Sequence, residues 1–410
     1  MINKIAIILL FAGFISTVVA SGGSVYSRYG AGDIYHLYSA RKISMGTPII
    51  ASPGYNDVDN INPAVFSGMK LTRLQAGLFY NGISQDDGSN TAFYSDYDFS
   101  GFLFGIPVER ELGIGIVAGL VPYSKVAYEI IDESNADFTN TYTGDGGISK
   151  IFFGGSYEAP YGINIGFAFE YYTGKIEYST ELDFNSTSSY EDALFVNKSS
   201  YYGSGFKFGL LSPNLSGLLK ESSVTDLRIG GFYSKLNTIN TDTTLTINSS
   251  IGTTELEKGL IETELPGSYG FGASVMFSEK YLVALDAVFE PWTEYAVNGV
   301  GNNNMADVSR YSIGFEYNKP DAQFGSFWEQ VALRGGLSYE KLKYVINGEE
   351  LSQFSIHTGF SIPLSVANNL DFGFSYSLRG TNSSNLIKED LYNFAVTLNF
   401  GELWFVRQDR

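Results

Sequence analysis

The chain has 410 residues, no cysteine and a formal charge of −18, from 26 basic against 44 acidic side chains. That balance argues against a nucleic-acid partner, and the missing cysteines exclude disulfides and a lipid-modified cysteine behind a leader. Charged residues make up only 17%, aromatics reach 15% with 29 Tyr and 31 Phe, and there are 46 Gly. This is a strand-and-turn composition, not that of a soluble enzyme built on amphipathic helices.

Residues 1–20 read as a signal peptide: Lys4 supplies the positive start, Ile5 to Ile15 is an uncharged apolar run, and Val18-Val19-Ala20 places cleavage after Ala20. The run falls short of the ~20 apolar residues of a spanning helix. Residues 21–69 read as irregular. Within them, Asp57 to Phe66 is punctuated by Pro53-Gly54 and Asn62-Pro63, yet is apolar at Ile61, Ala64, Val65 and Phe66. Proline gives a ladder no donor, so the stretch is no strand. A structureless segment this long is expected to dock into something larger.

From Leu71 onward the pattern has a period of two. Ile163, Ile165, Phe167, Phe169 and Tyr171 alternate with Asn164, Gly166, Ala168, Glu170 and Tyr172; Tyr392, Phe394, Val396, Leu398 and Phe400 alternate with Asn393, Ala395, Thr397 and Asn399. Segments around Leu78, Phe315, Leu337 and Phe374 repeat the pattern. Apolar-out, polar-in alternation with aromatic ends predicts a transmembrane barrel over residues 70–410, antiparallel and all-β, with about fourteen strands. A soluble sandwich also alternates, but here the polar face is rich in Gly and Ser rather than Lys and Glu. Connections are expected to be short on one side (Pro107 to Glu111, Ala159 to Gly162, Ser278 to Lys280). On the other side they are expected to be long (Asp132 to Thr141, Asp183 to Glu191, Asn248 to Glu257, Asn298 to Asn304).

Three features carry a family resemblance. Asn62-Pro63-Ala64 follows Met45-Gly46 and precedes the first strand. Leu265 to Gly272 is followed by Asp286 and Trp292. The chain ends Gly401-Glu402-Leu403-Trp404-Phe405-Val406-Arg407. Together these resemble the FadL-like outer-membrane transporters of long-chain fatty acids and other hydrophobic compounds, the tail resembling members from the Bacteroidetes and Chlorobi. The resemblance implies a monomeric barrel in the outer membrane of a Gram-negative bacterium, with a fatty-acid-like ligand, surrounding lipid and lipopolysaccharide, and no cofactor. It further implies an N-terminal hatch, here Ile61, Asn62, Pro63, Ala64, Val65 and Phe66, and a sideways exit near the third strand. That strand, Leu112 to Tyr128, carries Pro122 beyond Gly113, Gly115 and Gly119. Gly119 and Pro122 are the candidates for the lateral opening; a bulge near the rim is the alternative reading.

The alternation projects Glu170, Lys207, Arg228, Asp286, Glu316, Arg334, His357, Asp371 and Arg379 inward. Two readings stand. Either the charges pair and stiffen the wall, or Arg334, His357 or Arg379 holds a carboxylate head group. Catalysis is not expected. No Gly-x-Ser-x-Gly elbow is present, any Ser/His site must use His36 or His357, and Ser355 is only a neighbour of His357. No metal-ligand spacing is present. The alternative to transport is a barrel that moves no solute and serves as a secretion or assembly accessory subunit.

Overall fold

The computed structural model describes residues 23–403, apart from 53–56, 59, 136, 185–190, 220, 222, 251, 303, 320–324 and 383–385. The signal peptide read in residues 1–20, the Pro53-Gly54 break and the tail residues from Trp404 lie outside the described residues.

A closed antiparallel barrel of 14 strands dominates. The strands are β1 (Thr72–Asp86), β2 (Thr91–Glu109), β3 (Ile114–Asp132), β4 (Phe138–Ala159), β5 (Ile163–Phe184) and β6 (Ala193–Leu211). Then come β7 in two pieces (Val224–Leu236, Ile239–Ser249), β8 in two pieces (Gly252–Glu264, Ser268–Phe277) and β9 (Tyr281–Glu290). They are followed by β10 (Val308–Tyr317), β11 (Ala332–Ile346), β12 (Glu349–Pro363), β13 (Asn369–Arg379) and β14 (Lys388–Glu402). Closure is the β14–β1 ladder, from Glu402–Thr72 to Lys388–Asp86. We call the end at Thr72 and Glu402 inner and the opposite end outer.

The expected alternation is realised residue by residue. On β5, Ile165, Phe167 and Phe169 point out and are 45–50% exposed, while Ala168, Glu170 and Tyr172 point in and are buried. Leu78, Phe153, Phe208, Ile229, Phe271, Ile313, Ile356 and Leu398 extend this belt around the wall. Exposed Tyr97, Tyr202, Tyr233, Tyr269 and Tyr311 edge it on the outer side, and Tyr157, Tyr161 and Tyr281 on the inner. An apolar belt between aromatic girdles is the surface of a membrane barrel. Among the described residues no helix is long and apolar enough to cross a membrane.

Two expected long loops are partly strand. β4 already begins at Phe138, β7 runs to Ser249, and β8 starts at Gly252. The β-branched run Thr241, Thr243, Thr244, Thr246 and Ile247 suits a ladder, and it pairs with both β6 and β8. Asn298 to Asn304 is a connection carrying a short strand at Val300–Gly301, and most of Asp183 to Glu191 lies outside the described residues.

Candidate functional site

The N-terminal segment lies inside the barrel and is more ordered than its sequence predicts. Asn62 caps a 3-10 helix, Pro63–Gly68. Its side-chain oxygen accepts from the Ala64 N–H at 3.0 Å, and its amide donates to the carbonyls of Ile50 (2.8 Å) and Leu210 on β6 (3.1 Å). Proline at the first helical position costs no hydrogen bond. The wall makes room with glycine: a Cβ on Gly166 of β5 or Gly209 of β6 would collide with Asn62, Pro63 or Ala64. Ile61, Ala64, Val65 and Phe66 are buried in one cluster with Leu103, Val117, Phe152 and Phe232. Ile61 lines a lumen cavity of about 60 Å³.

A short helix, α1 (Ala40–Met45), lies on β11 to β14. Ser39 caps it by accepting from Lys42 N–H, and Gly46 ends it in the left-handed region, φ 67°. Gly336, Gly359 and Gly373 let it seat, since a Cβ there would meet Met45, Ser44 or Ala40. Charges then fasten the segment on several sides. Arg41 holds Asp57 (2.8 Å) and Glu316 on β10 (2.9 Å). His36 lies between Glu340 of β11 (3.1 Å) and Glu290 of β9 (3.5 Å). Burial alone would lower the His36 pKa, but the two carboxylates outweigh it and hold it above its ordinary value. Thr47 and the Ile49 and Ile50 amides bond Asp286 of β9.

The three candidate ligand residues do not converge. Arg334 bridges Glu316 (2.6 Å) and Asp371 (2.8 Å) and lines an inner vestibule of about 700 Å³. Arg379 binds Asp33 of the N-terminal segment (2.8 Å) and Glu389 (3.4 Å). His357 pairs with Ser338 (2.9 Å), while Ser355 accepts from Gln353 instead. Arg379 and His357 share an outer cavity of about 210 Å³ with His36 and Asp33. Each guanidinium already holds two carboxylates, which is the arrangement of the wall-stiffening reading.

The wall itself is split between β2 and β3. Their ladder runs from Glu109–Ile114 to Phe102–Leu120 and ends there, although β2 continues along β1 to Thr91 and β3 along β4 to Asp132. Each strand carries an extra residue at the parting point. Ser100 is bulged on β2 beside Gly101 at φ 124°, and Tyr123 is bulged on β3 directly after Pro122. A bulge bends and twists its strand, and two at one height separate the pair. Gly119 is the penultimate residue of the ladder, opposite Leu103. A cavity of about 380 Å³ opens here, lined by Tyr35, Phe99, Leu120, Pro122 and Lys125.

The N-terminal segment occupies part of the opening. Asp33–Ile34 pairs antiparallel with Lys125–Ser124, Tyr35 N–H donates to Tyr123 O (3.0 Å), and Ser27 Oγ bonds both backbone groups of Ala127. Lys125 also spans the split to Asp96 (2.5 Å) and Asp98 (2.7 Å), and Asp98 accepts from Tyr35 Oη (2.7 Å). Sequence reasoning located Pro122 but missed Lys125, Asp96, Asp98 and Asp33. Asp96 and Asp98 at period two in an aromatic strand were the available signal; their partner on another strand was not.

The model of the family described as BamG matches residues 1–409. Solved structures are similar in fold. A TodX deltaS2S3 mutant monoaromatic hydrocarbon channel has TM-score 0.63 at 16% identity, covering 89% of this chain and 99% of that one. A Pseudomonas aeruginosa FadL homologue has TM-score 0.62 at 11%, covering 90% and 99%. The Pseudomonas putida toluene transporter TodX has TM-score 0.57 at 16%, covering 91% and 100%. No curated protein matches the chain.

Proposed function

The chain belongs to the BamG family, and from that premise and the split wall we propose that it is an outer-membrane barrel for small hydrophobic compounds, fatty-acid-like amphiphiles among them. Cargo reaches the lumen from outside and leaves sideways between β2 and β3, at Gly119 and Pro122. Residues 61–66 act as the fixed end of a hatch whose movable end is residues 23–35. The observation that carries this reading is the coincidence, at one height, of two strand bulges, Pro122, a cavity and the N-terminal segment bonded to the open edge of β3. The monoaromatic hydrocarbon channel and the toluene transporter that share its fold support this reading. The barrel acts as a monomer, surrounded by lipid and lipopolysaccharide. The test is uptake of radiolabelled toluene and oleate into cells producing the protein. Pro122→Val is expected to lower uptake several-fold. Unchanged uptake by Pro122→Val, and by a variant cross-linked between β2 and β3, overturns the lateral route.

One observation favours a second reading, a barrel that transports nothing and supports a secretion or assembly partner. The N-terminal segment is ion-paired through Asp33, His36 and Arg41 to β9, β10, β11 and β13, and the BamG label of the family points the same way. Native mass spectrometry after mild detergent extraction separates the two. A retained amphiphile supports transport; a stoichiometric protein partner with no amphiphile supports the accessory role.

A further inference from the structure

The wall is broken a second time, away from β2 and β3. The β7–β8 ladder stops at Ser234–Ser268 and resumes at Ile239–Thr263. On the other flank β8 pairs with β9 up to Tyr269–Phe289 and next with the short strand Ala296–Val297, at Glu264–Ala296. Leu265, Pro266 and Gly267 therefore bridge a gap in both ladders at once. Pro266 and, across from it, Pro291 bring no N–H donor to the rim. Gly267 is fixed by close approach, since a Cβ there would collide with Ser234 O.

A cavity of about 670 Å³ occupies this gap, with Leu236, Leu265, Pro266 and Pro291 in its lining and Tyr233 and Tyr269 at its foot. Those two tyrosines are directly opposed in the β7–β8 register and belong to the outer girdle, with Ile229, Phe271 and Leu285 exposed on the belt below them. The foot of the gap is thus at the level where acyl chains give way to head groups. Its rim sets Lys235 against Glu264 and Glu294, a mixed set with no net attraction for an anionic head group. The gap backs onto the lumen. Leu236, Pro266 and Ser268 line the 60 Å³ lumen cavity as well, and Tyr35 stands between that cavity and the one at the β2–β3 split. The lumen cavity is well below the ~150 Å³ that takes up benzene, so onward movement requires Tyr35 or Tyr38 to turn aside.

We infer that the β7–β9 gap is a second lateral site, which takes a single uncharged alkyl chain from the outer leaflet and presents it to the lumen. The inference rests on the reading that the barrel handles apolar molecules, but its test does not depend on uptake.

The full-length protein in proteoliposomes is photolabelled with a diazirine-bearing dodecane, with the β2–β3 split locked by a short bis-maleimide between Asp98→Cys and Lys125→Cys. Labelled peptides are mapped by mass spectrometry. Labelling of residues 235–238 and 265–268 is expected at least five-fold above that of Ile229 on the open belt. Excess dodecane should compete it away, and Pro266→Trp should abolish it. If Pro266→Trp fails the heat-shift assay for a folded barrel, Asn237→Trp at the exposed rim replaces it. Labelling equal to that of Ile229, or unchanged by the folded Trp variant, overturns the inference. Uptake measured on the same locked protein judges the β2–β3 exit separately.

Discussion

Lys125 on β3 sets its ammonium 2.7 Å from the carboxylate of Asp98 on β2, across the stretch of wall where the two strands share no ladder. The same carboxylate accepts from Tyr35 of the N-terminal segment. One ion pair therefore ties together both lips of the split and the segment that fills it. Lys125→Met is expected to cost about 1.5–3 kcal/mol, as for a hydrogen bond between charged groups, and to loosen the opening. Spin labels on Tyr94 and Glu129 should report a broader distance distribution in the variant; an unchanged distribution would remove Lys125 as the latch.

Asn62 makes three hydrogen bonds: it caps the 3-10 helix through the Ala64 N–H and ties it to Ile50 and to Leu210 on β6. Asn62→Ala leaves buried carbonyls and the Ala64 amide without that partner, at about 1–3 kcal/mol. The barrel should still show its heat-shift on gels, while protease cleavage within residues 57–69 should rise. Equal protection in both proteins would mean that the buried apolar cluster alone holds the segment.

Gly336 sits against the Met45 carbonyl. Gly336→Val has no space for its side chain unless α1 lifts, so the lumen should open. In planar bilayers the wild type is expected to be electrically quiet and the variant to show discrete channel openings. A silent, folded variant would show that the seat adapts.

His36 gives the pH dependence. Its pKa is raised in the fold, against burial, by Glu340 and Glu290, with Arg310 opposing. A raised value means that its anchoring contribution is complete below the unfolded value of about 6.5 and is lost as pH rises through the folded value. Amide exchange at Asp33 to Leu37 should therefore accelerate as pH rises above about 6.5, beyond the intrinsic base catalysis, and His36→Gln should remove that excess.

Arg334 tests the two readings of the lumen charges. Removing one partner of a buried pair costs about 3–5 kcal/mol, so Arg334→Ala should lower the unfolding temperature by leaving Glu316 and Asp371 unbalanced. Oleate affinity should stay unchanged; a loss of affinity larger than the loss of stability explains would restore Arg334 to the ligand site.

The barrel was legible in the order of residues alone, because a two-residue period written as apolar-out and polar-in is a local property: Ile165, Phe167 and Phe169 face outward whatever their neighbours are. The same local reading marked Asn62-Pro63 as a break in the chain and Pro122 as a weak point in a strand, since both follow from backbone chemistry within a few residues. What the charges do depends on how the strands come together. Lys125 meets Asp98, Arg379 meets Asp33, and Arg41 meets Glu316 across separations that no local pattern encodes. The fold likewise makes Leu265-Pro266-Gly267 interrupt two ladders at once: a break in a wall exists only relative to the strands on either side of it.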